Sequence, residues 1–247
     1  MGVPRSIEVG IAPVIVMKRV SGDLTISGWD RPELQIRARH ARNTDEIGVN
    51  TLGEIIEISS HDDCVIQAPL QSQLQIEQVD GDLTVHMVLG SITIGSANGD
   101  AALASVGATT IGRVSGDLSA RGIAGSFVVN KISGDARIVQ VAGAAQLGQV
   151  SGDATLSEIV GNVECAASGD VKLLLNLAPN QHVSAEASGD LSCHIQTDAG
   201  AKVELEADGD IRIKNLGETR RASHTTLAFQ WVTAPLCSRS RRMGTSP

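Results

Sequence analysis

Nine aspartates, Asp23, Asp82, Asp100, Asp117, Asp135, Asp153, Asp170, Asp190 and Asp210, each follow a glycine, in Ser-Gly-Asp or a close variant of it. Stacked carboxylates offer hard oxygen ligands of the kind calcium takes. The calcium β-roll, however, carries an aspartate in every nine-residue half of its repeat. Here the second half has Ser, Ala or Asn after its glycine, as at Gly90, Gly107, Gly125, Gly143 and Gly161. With half the ligands missing, the column reads as a structural repeat turn, its Ser and Asp side chains bonding backbone groups of their own or the neighbouring coil. No metal and no cofactor is expected.

A second set of chemistry-bearing residues falls on the short strand after each aspartate. Thr84 and His86, Ser119 and Arg121, Arg137, Lys172, Ser192 and His194, and Arg212 and Lys214 all point outward by alternation, and no acid shares their face. The basic stripe of Arg121, Arg137, Lys172, Arg212 and Lys214 could recognise an anionic polymer or lipid headgroup, or it could offset the carboxylates beside it. His61-Asp62-Asp63-Cys64 holds metal-ligand chemistry, but neighbours in an extended chain point to opposite sides, so an exposed turn is the simpler reading. Cys165 and Cys193 occupy inward positions, so Cys193-His194 is not a catalytic pair. No nucleophile, metal cage or phosphate cradle recurs, and no catalytic residue is assigned.

The elements that must position these residues follow from the period. From Asp82 to Asp170 the gaps are 18, 17, 18, 18 and 17 residues, and the later coils lengthen to 20 with a bulge at Ala178-Pro179-Asn180. A fixed period of this size marks a stacked-coil architecture. In the coil from Val114, apolar residues occupy coil positions 1, 5, 7, 10, 14 and 16, so each coil is two similar halves. A spacing of two places both residues of a pair on one face of a strand. The sequence therefore predicts an all-β chain, a single-stranded parallel β-solenoid with 17–20 residues per coil and right-handed crossovers. Val79 to Asn215 should form a rod on the order of 35 Å long.

Three segments are expected: an irregular β cap with the first coils over 1–78, the regular solenoid over 79–216, and an atypical tail over 217–247. The tail is either disordered or read in a shifted frame, since the next frame of Arg241 to Ser246 permits Ala-Asp-Gly-Asp-Ile, the string at Ala207 to Ile211. Aromatics make up only 2% of the chain, with no Tyr, so the core must be built from Val, Ile, Leu and Ala. Of the net charge of −8, the residues after Gly217 contribute +4 (five Arg, one Glu), leaving −12 for the rest. An acidic body without aromatic platforms excludes nucleic acid as a partner. No apolar run of membrane-spanning length and no secretory signal is present, which points to a soluble, cytoplasmic chain.

The phrase from Val20 to Arg31 (V-S-G-D-L-T-I-S-G-W-D-R), the Ala68-Pro69 stretch leading into Val79-Asp-Gly-Asp-Leu, and the Ser-Gly-Asp ladder resemble the bacterial adhesin-like β-solenoid family of unknown function. The resemblance covers about residues 7–216. It implies a non-catalytic parallel β-solenoid, in proteins that are cytoplasmic, membrane-tethered or surface-associated, with some relatives in cell-envelope stress signalling. The function expected is a structural or binding scaffold for a protein or envelope polymer. The alternatives are an envelope-stress sensor and a filament built by end-to-end stacking of copies. A polysaccharide-active enzyme would need clustered acids and aromatic platforms, which are lacking.

Overall fold

The computed structural model describes residues 5–38, 47–53, 55–178, 180–195, 201–215 and 218–230. Pro179, Trp231, Cys237 and the arginine-rich end lie outside them. Every regular element among the described residues is a β-strand, and the strands join in one sheet wound as a parallel β-solenoid.

Each coil contributes two strands separated by the Gly-Asp turn. In one coil these are β12 (Thr109–Val114) and β13 (Leu118–Ile123), and in the next β14 (Phe127–Ile132) and β15 (Ala136–Val141). β12 pairs parallel with β14 and β13 with β15, Thr109 opposite Phe127 and Leu118 opposite Ala136. Alternation buries Leu118 and Ala120 while Ser119 and Arg121 face out. An inward column then runs Leu103, Ala120, Ile138, Leu156, Leu173, Cys193 and Ile213 down the axis. The column is aliphatic apart from Cys193, so the narrow interior fills without aromatic bulk; Phe127 is the largest fully buried side chain among the described residues.

The three-residue gap between inward positions from Ala120 to Ile123 contains a left-handed residue. Met87, Ser105, Gly122, Gln140 and Glu158 hold one position in successive coils, and all have positive φ, between 55° and 70°. Each of these five coils spends one left-handed residue there to bend its strand, whereas the other strand of the coil makes the same gap, as from Val129 to Ile132, without one. Only Gly122 is suited to that conformation. The other four accept it because the ladder on both sides fixes the backbone.

At the N-terminal end the coils do not stack in chain order. β2 (Val14–Val20) lies between β6 (Ile55–Ser60) and β8 (Gln73–Val79), and β3 (Leu24–Trp29) lies between β7 (Cys64–Pro69) and β9 (Leu83–His86). The first coil of the chain is therefore the second in space. The Pro69–Gln73 segment crosses over it: Leu70 N–H donates to Trp29 O at 2.9 Å, Gln73 N–H to Pro13 O at 2.9 Å, and the buried Ser72 hydroxyl to Pro69 O at 2.7 Å. The regular stack thus begins well before residue 79. Its ten coils span about 43 Å at 4.8 Å per step, longer than the stretch from Val79 alone.

Antiparallel strands close both ends. β4 (Glu33–Ala38) covers β7 and carries β1 (Arg5–Glu8) on its far side, while β5 (Ile47–Leu52) covers β6. Leu34 and Ile36 are fully buried there, and Ile7, Val9, Ile47 and Val49 pack against the core. At the other end β22 (Lys202–Asn215) forms the last coil, and β23 (Glu218–Gln230) runs back along it, Lys202 opposite Gln230 and Asn215 opposite Glu218. The stretch after residue 216 thus opens on a strand that caps the stack. Neither end offers the parallel edge that a second copy would need to continue the coil.

Two outcomes follow from these features. Gln140→Gly should stabilise the protein by about 0.5–1 kcal/mol, because relief of a left-handed non-glycine residue exceeds the added chain entropy, whereas Gly122→Ala should destabilise it; urea midpoints at constant slope read both. Light scattering should report a monomer at every concentration, and polymers growing with concentration would contradict the capped ends.

Candidate functional site

The aspartates form a ladder of side-chain to backbone bonds. Oδ1 of Asp82 accepts the N–H of Asp100 at 2.8 Å, Oδ1 of Asp100 accepts that of Asp117 at 2.8 Å, and the pattern continues through Asp135, Asp153, Asp170 and Asp190 to Asp210. Towards the N-terminus, Asp23 serves Asp82 at 2.9 Å and is itself served by Asp63 at 3.0 Å. Nine bonds link ten aspartates. Sequence reading placed Asp63 in an exposed turn because neighbours in an extended chain point to opposite sides; the repeat is masked there, since Asp62 stands where the other turns have glycine. The signal was present in Cys64 and Ile66, which repeat the inward pair that follows every other ladder aspartate.

The ladder explains the glycine before each aspartate. A Cβ on Gly134 would stand 2.1 Å from Asp117 Oδ1 and 2.7 Å from Gly116 O, so the carboxylate occupies the space a side chain would need. One oxygen of each linked carboxylate is thereby committed to the fold. No group of three or more His, Cys, Asp or Glu is arranged to hold a metal ion among the described residues.

Beside the ladder runs a groove of about 580 Å³, walled by Asp82 to Asp153 on one side and by Thr84, Ala102, Ser119, Arg137 and Thr155 on the other. It opens onto the first of the solenoid's two broad faces. This face brings together all five predicted cations, Arg121, Arg137, Lys172, Arg212 and Lys214, each exposed. Besides the ladder, the exposed Glu158 on β17 (Ala154–Ile159) is an acid on this side of the coil, but none of the five cations is within ion-pair distance of an acid among the described residues. The stripe therefore does not neutralise the ladder by direct pairing.

The opposite face has the other sign. Glu57, Glu77, Glu164, Glu186, Glu204 and Glu206 point outward there; Lys18 pairs with Glu77 and Lys202 with Glu204, both at 2.7 Å, while Arg113 and Lys131, neighbours on adjacent coils of this face, have no ion pair among the described residues. The hydrogen bond that Lys18 donates to Glu77 raises Lys18 above the usual lysine range, and the one that Lys202 donates holds Glu204 below the usual carboxylate range. The glutamates are thus gathered on the second face, while the first carries the run of five cations.

The remaining reactive groups have structural roles. Cys64, Cys165 and Cys193 are buried, and burial pushes their thiols up to about 12, out of the nucleophilic range. Ser27 Oγ and His86 Nε2 lie 2.6 Å apart on the first face, but no carboxylate among the described residues orients the imidazole, and the surface around them is flat. Trp29 is half-buried, its Nε1–H donating to Glu33 O at 2.8 Å beneath the Arg31 guanidinium, 5.0 Å from the ring centre. No helix among the described residues is long and apolar enough to cross a membrane.

A family model described as Toastrack DUF4097 matches residues 7–226. Among solved structures, a candidate adhesin from Bacteroides fragilis is 16% identical, the match covering 87% of this chain and 96% of that one at a TM-score of 0.38. A candidate adhesin from Parabacteroides distasonis is 11% identical, with 87% and 94% covered and a TM-score of 0.30. A candidate lipid-binding protein from the same organism is 14% identical, with 86% and 91% covered and a TM-score of 0.29. No curated protein matches the chain.

The ladder can be tested by a double-mutant cycle. Asp117→Ala should cost about 1 kcal/mol through the lost bond to Asp135 N–H, and Gly134→Ala about 1–3 kcal/mol through overpacking. The double variant should lose less than the sum, since the clashing oxygen is gone. Strictly additive losses in urea unfolding would show that the carboxylate does not press on Gly134.

Proposed function

The chain belongs to the Toastrack DUF4097 family, and on its architecture we propose that it is a non-catalytic binding scaffold that engages an anionic partner through its first face. The observation that carries this reading is the set of five exposed cations, Arg121, Arg137, Lys172, Arg212 and Lys214, on one face, none of them in an ion pair among the described residues. Cations outside ion pairs have no internal partner to give up before binding, and the backbone that carries them is already ordered, so the entropy cost is confined to the side chains, about 0.5–1.5 kcal/mol for each one immobilised. The groove beside the ladder is lined by aspartates that serve the fold and by small, aliphatic or hydroxyl side chains and Arg137, without an aromatic ring, which favours a surface for binding over a site for turnover.

An overall charge of −8 should keep the protein off a carboxylated matrix unless one face acts locally. Wild type should be retained on such beads at low salt and released as salt rises. A variant with all five cations changed to Gln should flow through while keeping its unfolding midpoint. Equal retention of both proteins would refute the basic face as the binding surface.

A further inference from the structure

On the first face, the column nearest the ladder reads Ser119, Arg137, Thr155, Lys172, Ser192 and Arg212, each the ladder neighbour of the next. Hydroxyl and cation alternate without exception over these six coils. With strands about 4.8 Å apart, the cations recur about every 10 Å, with a neutral hydrogen-bonding rung between them.

An aspartate stands two residues before every rung. At Arg137, Lys172 and Arg212 the cation lies in front of it. At Ser119, Thr155 and Ser192 no cation stands on the rung itself in front of Asp117, Asp153 and Asp190, two residues and about 7 Å away. An anion in contact with a cation rung gains more than it loses to a carboxylate twice as far off, which salt also screens. An anion against a hydroxyl rung touches no cation and is attracted only from the neighbouring rungs, about 4.8 Å away, against the repulsion of its own aspartate. The column thus favours negative charge at alternate coils and a neutral hydrogen-bonding group between.

We propose that this column binds a linear acidic polysaccharide bearing one carboxylate or sulfate on every second sugar, lying parallel to the solenoid axis. The inference rests on the basic-face reading above and specifies its ligand. A sugar in an extended glycan advances by about one strand spacing, so charged sugars meet Arg137, Lys172 and Arg212 while the neutral ones present hydroxyls to Ser119, Thr155 and Ser192. Anionic lipid headgroups have no fixed spacing and could not use the alternation.

The test compares the full chain's binding to hyaluronan, with one carboxylate per disaccharide, and to polygalacturonate, with one per sugar, at matched length. Neutral dextran and phosphatidylglycerol vesicles are run alongside. Hyaluronan should bind about tenfold more tightly than polygalacturonate, and dextran not at all. Thr155→Lys, which puts a cation on a neutral rung, should raise polygalacturonate binding and narrow the ratio; Thr155→Ala should weaken hyaluronan about threefold. Polygalacturonate binding as well as hyaluronan, or vesicles binding while hyaluronan does not, would overturn the alternation and leave the basic face standing. If neither polymer nor vesicles bind, and the bead assay shows no difference between wild type and the five-Gln variant, both readings fall.

Discussion

Every strand in the body of this protein hydrogen-bonds in register to the strand one coil away, so a residue's neighbours along the axis are its own repeats. That constraint turns a feature of one coil into a column. A turn aspartate becomes a ladder in which each carboxylate holds the next coil's N–H, and the glycine before it becomes obligatory because the previous carboxylate occupies its side-chain space. The left-handed corner residue likewise recurs in each successive coil from Met87 to Glu158, although only one of the five is glycine. Strain at such a site persists because the neighbouring coils over-determine the backbone.

The same constraint governs the ends. A parallel stack exposes an unpaired edge at each terminus, and here both are covered by strands running the other way. The N-terminal closure uses the chain before the regular repeat. The first coil sits one step inside the end, the cap strands follow it, and the Pro69–Gln73 crossing returns the chain to the growing side. The lateral faces are left as the surfaces through which the body meets other molecules.

Those faces are set apart by charge. Glutamates are gathered on the second face and hold Lys18 and Lys202 there, whereas the five cations of the first face have no ion pair among the described residues. In-register pairing also gives the first face a ruler, because side chains on it are spaced by the strand separation and not by flexible loops. A surface of that kind suits a repetitive, extended partner better than a compact one.

The period of the Gly-Asp turns, the inward spacing and the scarcity of aromatics were enough to give a parallel solenoid, its two strands per coil, the buried Cys165 and Cys193 and the outward basic residues, because each depends only on alternation within one coil. The spatial order of the first coils, Asp63 as the first rung, the left-handed corner column and the strand over Glu218–Gln230 lay beyond the sequence. Each depends on which segments become neighbours along the axis. The unpaired state of the five cations was likewise decided in three dimensions: composition shows enough aspartates to neutralise them, but the ladder turns one oxygen of each carboxylate towards the next coil's backbone and leaves the cations facing solvent. Local periodicity is written in the order of residues, whereas coil order and charge pairing are properties of contacts between distant segments, which only the closed stack brings together.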